Sequence, residues 1–512
     1  MKKIVAFILC LITIFSCVSC APTTTTPPDV QPPEVEQPEK PVQPEQPEQP
    51  EHLYKYELTL SVEGENTYKR HSGVILEPQI TIPENKVLLG WTMNPDEKYN
   101  FVTFPLVAKK SVTLFAVFKE EQKEGLPRID VFVAGGAITS KEEYVRMSLS
   151  MTNVLPEHEL QSRTGGIRLR GNSTLGMPKK AYRIKFDKKT AFFDEDKYKS
   201  WVLLADYIDA SLMKNYSALY FARQLEGLKF TSCAYHVELY IDGAYQGVYL
   251  LCEQTQEQKE GRVEIEVDEI TETMVQVPFL IELNRGAEAE SEFEYDWFEY
   301  GDHTYTIKYP ENPTLQQYEY IVNYFTEAKV MLEKGNLSRF EELVDLNSLI
   351  DYYLVNELFI NRDAIWKSGY MYKPRYGRLT FGPVWDFDWS LNTPWTGEPT
   401  VTTSLSSTTY DYFTTHDCWF KDILDAGYED EVAKRWRIAR NCALDTVTHI
   451  KQYREKFTPS AMVNYYKWYP EYEPEGEAEY EAQFGNLYED QYQFLINFLT
   501  LRIRYFDRKW LE

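Results

Sequence analysis

The sequence predicts an α+β protein: a small all-β domain, then a larger domain whose strand-rich half precedes a helical half. Three observations predict it. Short β-rich runs punctuated by Gly and Pro fill residues 53 to 119 and return from Ile129 to Leu204. Apolar residues at helical spacing take over from Thr314 onward. Aromatic residues make up 15% of the chain, enough core material to exclude a disordered one.

The chain opens with Lys2 and Lys3, then an apolar run from Ile4 to Phe15 that is too short to span a bilayer and has the shape of a signal peptide. Cys17-Val18-Ser19-Cys20 closes it. That stretch resembles a bacterial lipobox, with Cys17 where Leu is usual, and implies cleavage before Cys20 and lipidation of its thiol. Plain secretion is the alternative. Residues 1–20 are thus the expected lipoprotein leader. Residues 21–51, rich in Pro, Glu and Gln, are expected to form an extended stalk, which places the protein outside the cytoplasm on a lipid anchor.

Residues 52–121 form the predicted β domain. Val87 to Trp91, followed by Leu114 to Phe118, resembles one copy of a Listeria–Bacteroides surface repeat, with a spacer as its plainest role.

Residues 127–512 form the predicted main domain. Its expected strands are Ile129 to Ala134, Gly166 to Arg170, Ala181 to Phe186, Trp201 to Leu204 and Phe279 to Leu283. A helix is expected over Ala210 to Leu225, and a Val237 to Cys252 hairpin turns at Asp242-Gly243. Later helices are expected at Thr314 to Glu333, Leu349 to Ile360, Glu429 to Lys456 and Tyr488 to Trp510, with an acidic loop near Glu471 to Glu481.

Net charge is −25, which excludes nucleic acid as a partner because phosphate-backbone binding needs a basic face. Beyond the leader only Cys233, Cys252, Cys418 and Cys442 remain, without a C-x-x-C pair, so a zinc site is not expected. The hairpin register would set Cys233 opposite Cys252, and two buried free thiols fit better than a disulfide. Walker A, Rossmann, G-x-S-x-G and H-E-x-x-H motifs are all missing.

The chemistry concentrates in Asn361 to Asp388. A helix runs into Asn361-Arg362-Asp363, and Ser368 follows that aspartate by five residues. Tyr370 to Tyr372 and Leu379 to Phe381 read as a small hairpin that delivers Asp386-Phe387-Asp388. This order resembles a kinase catalytic core, where a base and a metal-binding carboxylate come from opposite ends of a hairpin. Asp363 takes the place of the base and Asp386 that of the metal ligand. Asp388 and Ser368 are further candidate ligands, Ser368 standing where Asn is usual. Two plainer accounts remain open: Asp386-x-Asp388-x-Ser390 as a structural calcium loop, and Asp363 as a turn residue.

A basic island lies upstream. Arg168, Arg170, Lys179, Lys180, Arg183 and Lys185 fall between Ile167 and Phe186, with Gly165-Gly166 and Gly171-Asn172-Ser173 beside them. Arg168, Arg170, Lys180, Arg183 and Lys185 are candidate polyphosphate ligands, though a solvated strand face is the more common use of such residues. Glu253 is a candidate neighbour of the adenine, although a surface glutamate is the more frequent case. Asp209, just before the expected helix at Ala210, reads as its N-cap.

Taken together these stretches resemble the CotH family of spore-coat-type atypical protein kinases. The motifs are Arg168 to Thr174, Lys180-x-Tyr182 to Phe186, Trp201 to Ser211, Gly243-x-Tyr245-x-Gly247-Val248-Tyr249, Asn361-x-Asp363 and Gly382 to Asp388. The resemblance implies a bilobal atypical kinase fold, ATP with Mg²⁺ or Mn²⁺, and transfer to Ser or Thr of proteins in the cell envelope. It also implies that Asp363 and Asp386 are the catalytic and metal-binding aspartates. A non-catalytic surface or adhesion module that keeps the fold and a metal is the second expectation.

Overall fold

The computed structural model describes residues 55–512, except 85, 97–101, 103, 121–124, 256–262, 264, 266–272, 288–292, 392, 394–404, 417 and 469–476. The leader, Cys20 and the stalk lie outside the described residues. No described helix is long and apolar enough to cross a membrane.

Residues 55–120 build a four-stranded sheet in the order β2-β1-β6-β4 from β1 (Tyr56–Val62), β2 (Glu65–His71), β4 (Lys86–Thr92) and β6 (Val112–Glu120). A two-stranded ribbon, β3 (Val74–Ile75) with β5 (Leu106–Val107), completes it. Leu60, Trp91 and Leu114 form its buried centre. Leu89 and Val117 instead join the core of the main domain.

The strand-rich half closes into a seven-stranded barrel in the order β10-β11-β13-β12-β7-β8-β9. Its strands are β7 (Arg128–Ala134), β8 (Val145–Thr152), β9 (Leu160–Arg170), β10 (Ala181–Thr190), β11 (Tyr198–Leu204), β12 (Tyr235–Ile241) and β13 (Ala244–Glu253). Alternation along each strand sends Ile167, Ile184, Phe186, Trp201, Leu239 and Leu251 into the barrel core. Helix α1 (Lys214–Ala222) follows β11 and is buried on nearly every side.

A second sheet, β15-β16-β14-β17-β18, comes next. It contains β14 (Phe279–Leu283), β15 (Trp297–Tyr300), β16 (His303–Tyr309), β17 (Gly369–Lys373) and β18 (Thr380–Phe381). Around it lie α2 (Leu315–Glu333), α3 (Leu337–Leu343), α4 (Leu346–Phe359), α5 (Trp419–Asp425), α6 (Glu429–Trp468) and α7 (Glu477–Trp510). Helix α2 starts on a capping box of Thr314 and Gln317, each side chain satisfying an end amide of the other. The protein is therefore α+β.

Three expectations change. The β12–β13 ladder carries a bulge between Leu239 and Tyr240, so the register beyond it is one residue longer on β13. Cys233 donates its backbone N–H to Glu253 Oε2 at 2.7 Å rather than sitting opposite Cys252; both thiols are buried and free. Helix α6 also continues past Lys456 and through Pro459 to Trp468. Of the expected acidic loop, 471–476 lie outside the described residues, and the backbone is helical from Glu477.

Candidate active site

Helix α4 ends with Ile360 in the left-handed conformation, φ +47°, which turns the chain sharply into a 3-10 turn, Arg362–Ile365. That turn carries Asp363. Asn361 Nδ2 donates to Asn356 Oδ1 at 3.1 Å and to Trp385 O at 3.3 Å, tying the turn to the strand exit before Asp386. The β17–β18 hairpin then returns the chain, so the two aspartates 23 residues apart in sequence reach one cleft of about 640 Å³.

Asp386 has φ +65° and Ser368 φ +57°, and Ser368 Oγ donates to Asp386 Oδ2 at 3.1 Å. Asp206, on the turn after β11, is also left-handed, φ +46°. It accepts from Asn215 Nδ2 at 2.7 Å, and Asn215 Oδ1 accepts the Phe387 N–H at 2.7 Å. Asn215 thereby joins α1 to the segment holding Asp386 and Asp388. Left-handed backbone at three non-glycine residues of one cleft is stored strain of the kind that collects at working sites.

Four carboxylates crowd this space. Burial and then the charge of Asp386 push Asp363 up to about 7. Burial and Asp209 push Asp206 up to about 7, although Asn215 and Lys179 pull the other way. Burial, Asp386, Asp206 and Asp363 push Asp388 well above the carboxylate range. One oxygen of Asp388 is buried with no hydrogen-bond partner.

Such a set suits a hard divalent cation, which would reverse the repulsion and complete the orphaned oxygen. Among the described residues no three His, Cys, Asp or Glu side chains form a ready metal cage. Magnesium-type ions do not need one: they use one or two carboxylates, water and substrate phosphates. Asp386 and Asp388 fit that pattern.

Arg170, at the end of β9, lines the cleft with its guanidinium 5.5 Å from the Trp385 ring centre. The loop Gly171 to Thr174 lines it too. Lys179 enters from the start of β10. Its ammonium is buried and donates to Ala205 O at 2.8 Å, to Asn464 Oδ1 at 2.9 Å and to Val248 O. Burial holds it down at about 7 despite the attraction of Asp206. Gly247 makes room for this arrangement: with φ +110°, a Cβ there would lie 2.5 Å from Asn464 Oδ1.

The rest of the basic island lies elsewhere. Lys180 donates to Leu175 O and Met177 O, stapling the turn beside the cleft. Arg168 pairs with Glu142 at 3.6 Å and faces Tyr144. Arg183 stands opposite Arg168, and Lys185 opposite Gly166. At ~3.3 Å per strand residue, the level of Lys185 is about 13 Å down the ladder from Arg170. Only the ladder's end reaches the cleft, which is why Arg168, Arg183 and Lys185 do not line it; Lys180 stands at that end, but its ammonium is spent on the turn carbonyls. Glu253 does not line it either, since its carboxylate is fully buried and accepts the Cys233 N–H. Asp209 reaches past its own turn to accept the Lys214 N–H at 2.8 Å and thus serves the start of α1.

Five cleft residues escaped the sequence. Asp206 lies within the Trp201 to Ser211 motif without an assigned role, Asn215 just beyond it, and Lys179 stood beside the favoured Lys180. Arg285 and Lys367 also line the cleft; Arg285 carried no sequence signal at all.

The α+β fold brings carboxylates, a glycine turn and basic side chains to one cleft. The chain belongs to the CotH kinase protein family, whose model matches residues 167–506, and that match makes the protein kinase-like. No curated protein matches it.

Proposed function

We propose that this protein is an atypical kinase that transfers the γ-phosphoryl group of ATP to Ser or Thr hydroxyls of extracytoplasmic proteins. The observation that carries this is the meeting of Asp363, Asp386 and Asp388 with Arg170 and the Gly171 turn in one cleft. The barrel and the helical part are then the two lobes.

Asp363 is the base. Burial raises this carboxylate above the ordinary aspartate range, which suits it to accept the proton of an attacking hydroxyl. Asp386 and Asp388 would hold Mg²⁺ or Mn²⁺, with Ser368 fixing Asp386 through its hydroxyl. The ion supplies charge neutralisation to the phosphates. Arg170 and the amides of the Gly171 turn hold the polyphosphate in place, and Asn215 sets Asp206 and the Asp386 segment at a fixed spacing. As the hydroxyl oxygen bonds to phosphorus, its proton passes to Asp363 and the bond to the ADP oxygen breaks. Positioning and electrostatics supply most of the rate.

The leader, Cys20 and the stalk support a lipid-anchored, extracytoplasmic enzyme, and the Val87 to Trp91 stretch supports a surface-repeat origin for the β domain. Protein lacking residues 1–51 tests the donor site by thermal shift. ATP with Mn²⁺ raises the melting temperature more than either does alone. A shift with metal but none with added ATP would instead mark a binding module without a nucleotide site.

A further inference from the structure

The cleft holds two arginines on tryptophan platforms, one beside each central aspartate. Arg170 faces Trp385, the residue before Asp386. Arg285, just past β14, faces Trp366 with its guanidinium 5.2 Å from the ring centre, and its backbone N–H donates to Trp366 O at 2.9 Å. Trp366 belongs to the Asp363 turn, because its N–H and that of Lys367 both donate to Asp363 O at 2.8 Å. Arg285 and Lys367 thus stand with the base.

No hydrogen bond or ion pair engages the Arg285 guanidinium among the described residues. The nearest acid along the strand, Glu282, is held by Lys308 at 3.3 Å and by the Tyr370 hydroxyl at 3.0 Å. An aromatic platform restrains a guanidinium while leaving its in-plane N–H donors for a planar or tetrahedral oxyanion. The donor phosphates belong with the Gly171 turn, Arg170 and the metal ligands, on the Asp386 side. What approaches the base is the acceptor.

We infer that Arg285, stacked on Trp366, reads an anionic side chain next to the acceptor hydroxyl, so that the substrate is a Ser or Thr flanked by a carboxylate or by an already phosphorylated residue. This rests on the kinase reading of the cleft and on Asp363 as base. It assigns Arg285 a specificity role that Arg170 does not share.

Peptides with one serine flanked by Asp, phosphoserine, Gln or Lys test it on the protein lacking residues 1–51 with Mn²⁺ and ATP. An anionic neighbour should raise kcat/KM about ten-fold or more over Gln, as a charge-assisted pair does. Asp and phosphoserine peptides separate the two sources of charge. Arg285→Gln should bring the ratio close to one, and Arg285→Glu should turn the preference toward Lys. The ATP-dependent thermal shift should persist in both variants. Equal use of all peptides by the wild type, a preference surviving Arg285→Gln, or loss of the ATP shift in that variant would each overturn the proposal. Should no peptide be phosphorylated, peptide binding measured with a non-hydrolysable ATP analogue decides. Tighter binding of the anionic peptides, lost in Arg285→Gln, supports it even if turnover fails, and equal binding overturns it.

Discussion

Gly171 turns with φ +105°, a conformation that strains any side chain, and a methyl group there would also crowd the Thr174 hydroxyl. The turn has no slack for a side chain, and the loop it starts forms one wall of the cleft. Gly171→Ala should therefore displace Arg170 and the turn amides together. The expected loss is about ten-fold or more in kcat/KM for ATP, since small misplacements at a reacting centre are costly. Steady-state kinetics at varied ATP checks this, and an unchanged value would remove the turn from the donor site. At this scale the aspartates and Ser368 could be singled out in the sequence because they cluster around one short hairpin. Lys179 and Lys180 could not be told apart. They are neighbours on one strand entry, and which one enters the cleft depends on Asn464, 285 residues away.

Helix α6 carries the lesson at the scale of elements. Pro459 removes a helical hydrogen bond and would ordinarily end a helix. Here Ser460, Ala461, Val463, Asn464, Tyr465 and Tyr466 are buried beyond it, so packing outweighs the local preference. The extension matters because Asn464 Oδ1 accepts from both Lys179 Nζ and the Val248 N–H. Lys467 Nζ then donates to Leu89 O, at 2.7 Å, and so ties the same helix end to the N-terminal β domain. Asn464→Leu leaves a buried ammonium and a buried amide short of an acceptor. It should cost about 1–3 kcal/mol, chiefly for the orphaned Val248 amide, because Lys179 keeps Ala205 O and Val248 O. Denaturant unfolding of wild type and variant measures it, and a loss well under 1 kcal/mol would show that the two groups find other partners. Strand and helix types were legible from periodicity, whereas this long-range clasp leaves no periodic trace.

The whole molecule sets four carboxylates in a partly buried cleft of a protein with net charge −25. Without metal, that crowding works against folding. Asp363 has its pKa raised from the usual carboxylate value to about 7. The stability it contributes is fully present below the unfolded value and is lost as pH rises through 7. Asp363→Asn carries no charge at any pH. In a chelator the variant should melt above wild type at pH 8, and the gap should narrow steadily as pH falls from 7 toward the unfolded carboxylate value of 3.8. A gap independent of pH would mean that neither burial nor Asp386 raises this carboxylate. The α+β class and the order of the halves were legible from the chain. The closed barrel and the docked β domain were not, because closure depends on which strand edges meet, and the parallel β12–β7 pair joins strands about a hundred residues apart. The central claim is phosphoryl transfer from this cleft, and transfer of label from γ-labelled ATP in Mn²⁺ tests it most directly. Protein lacking residues 1–51 should label itself or an added acceptor, with Asp363→Ala and Asp386→Ala each reduced about 100-fold or more. Full activity in either variant would contradict the account.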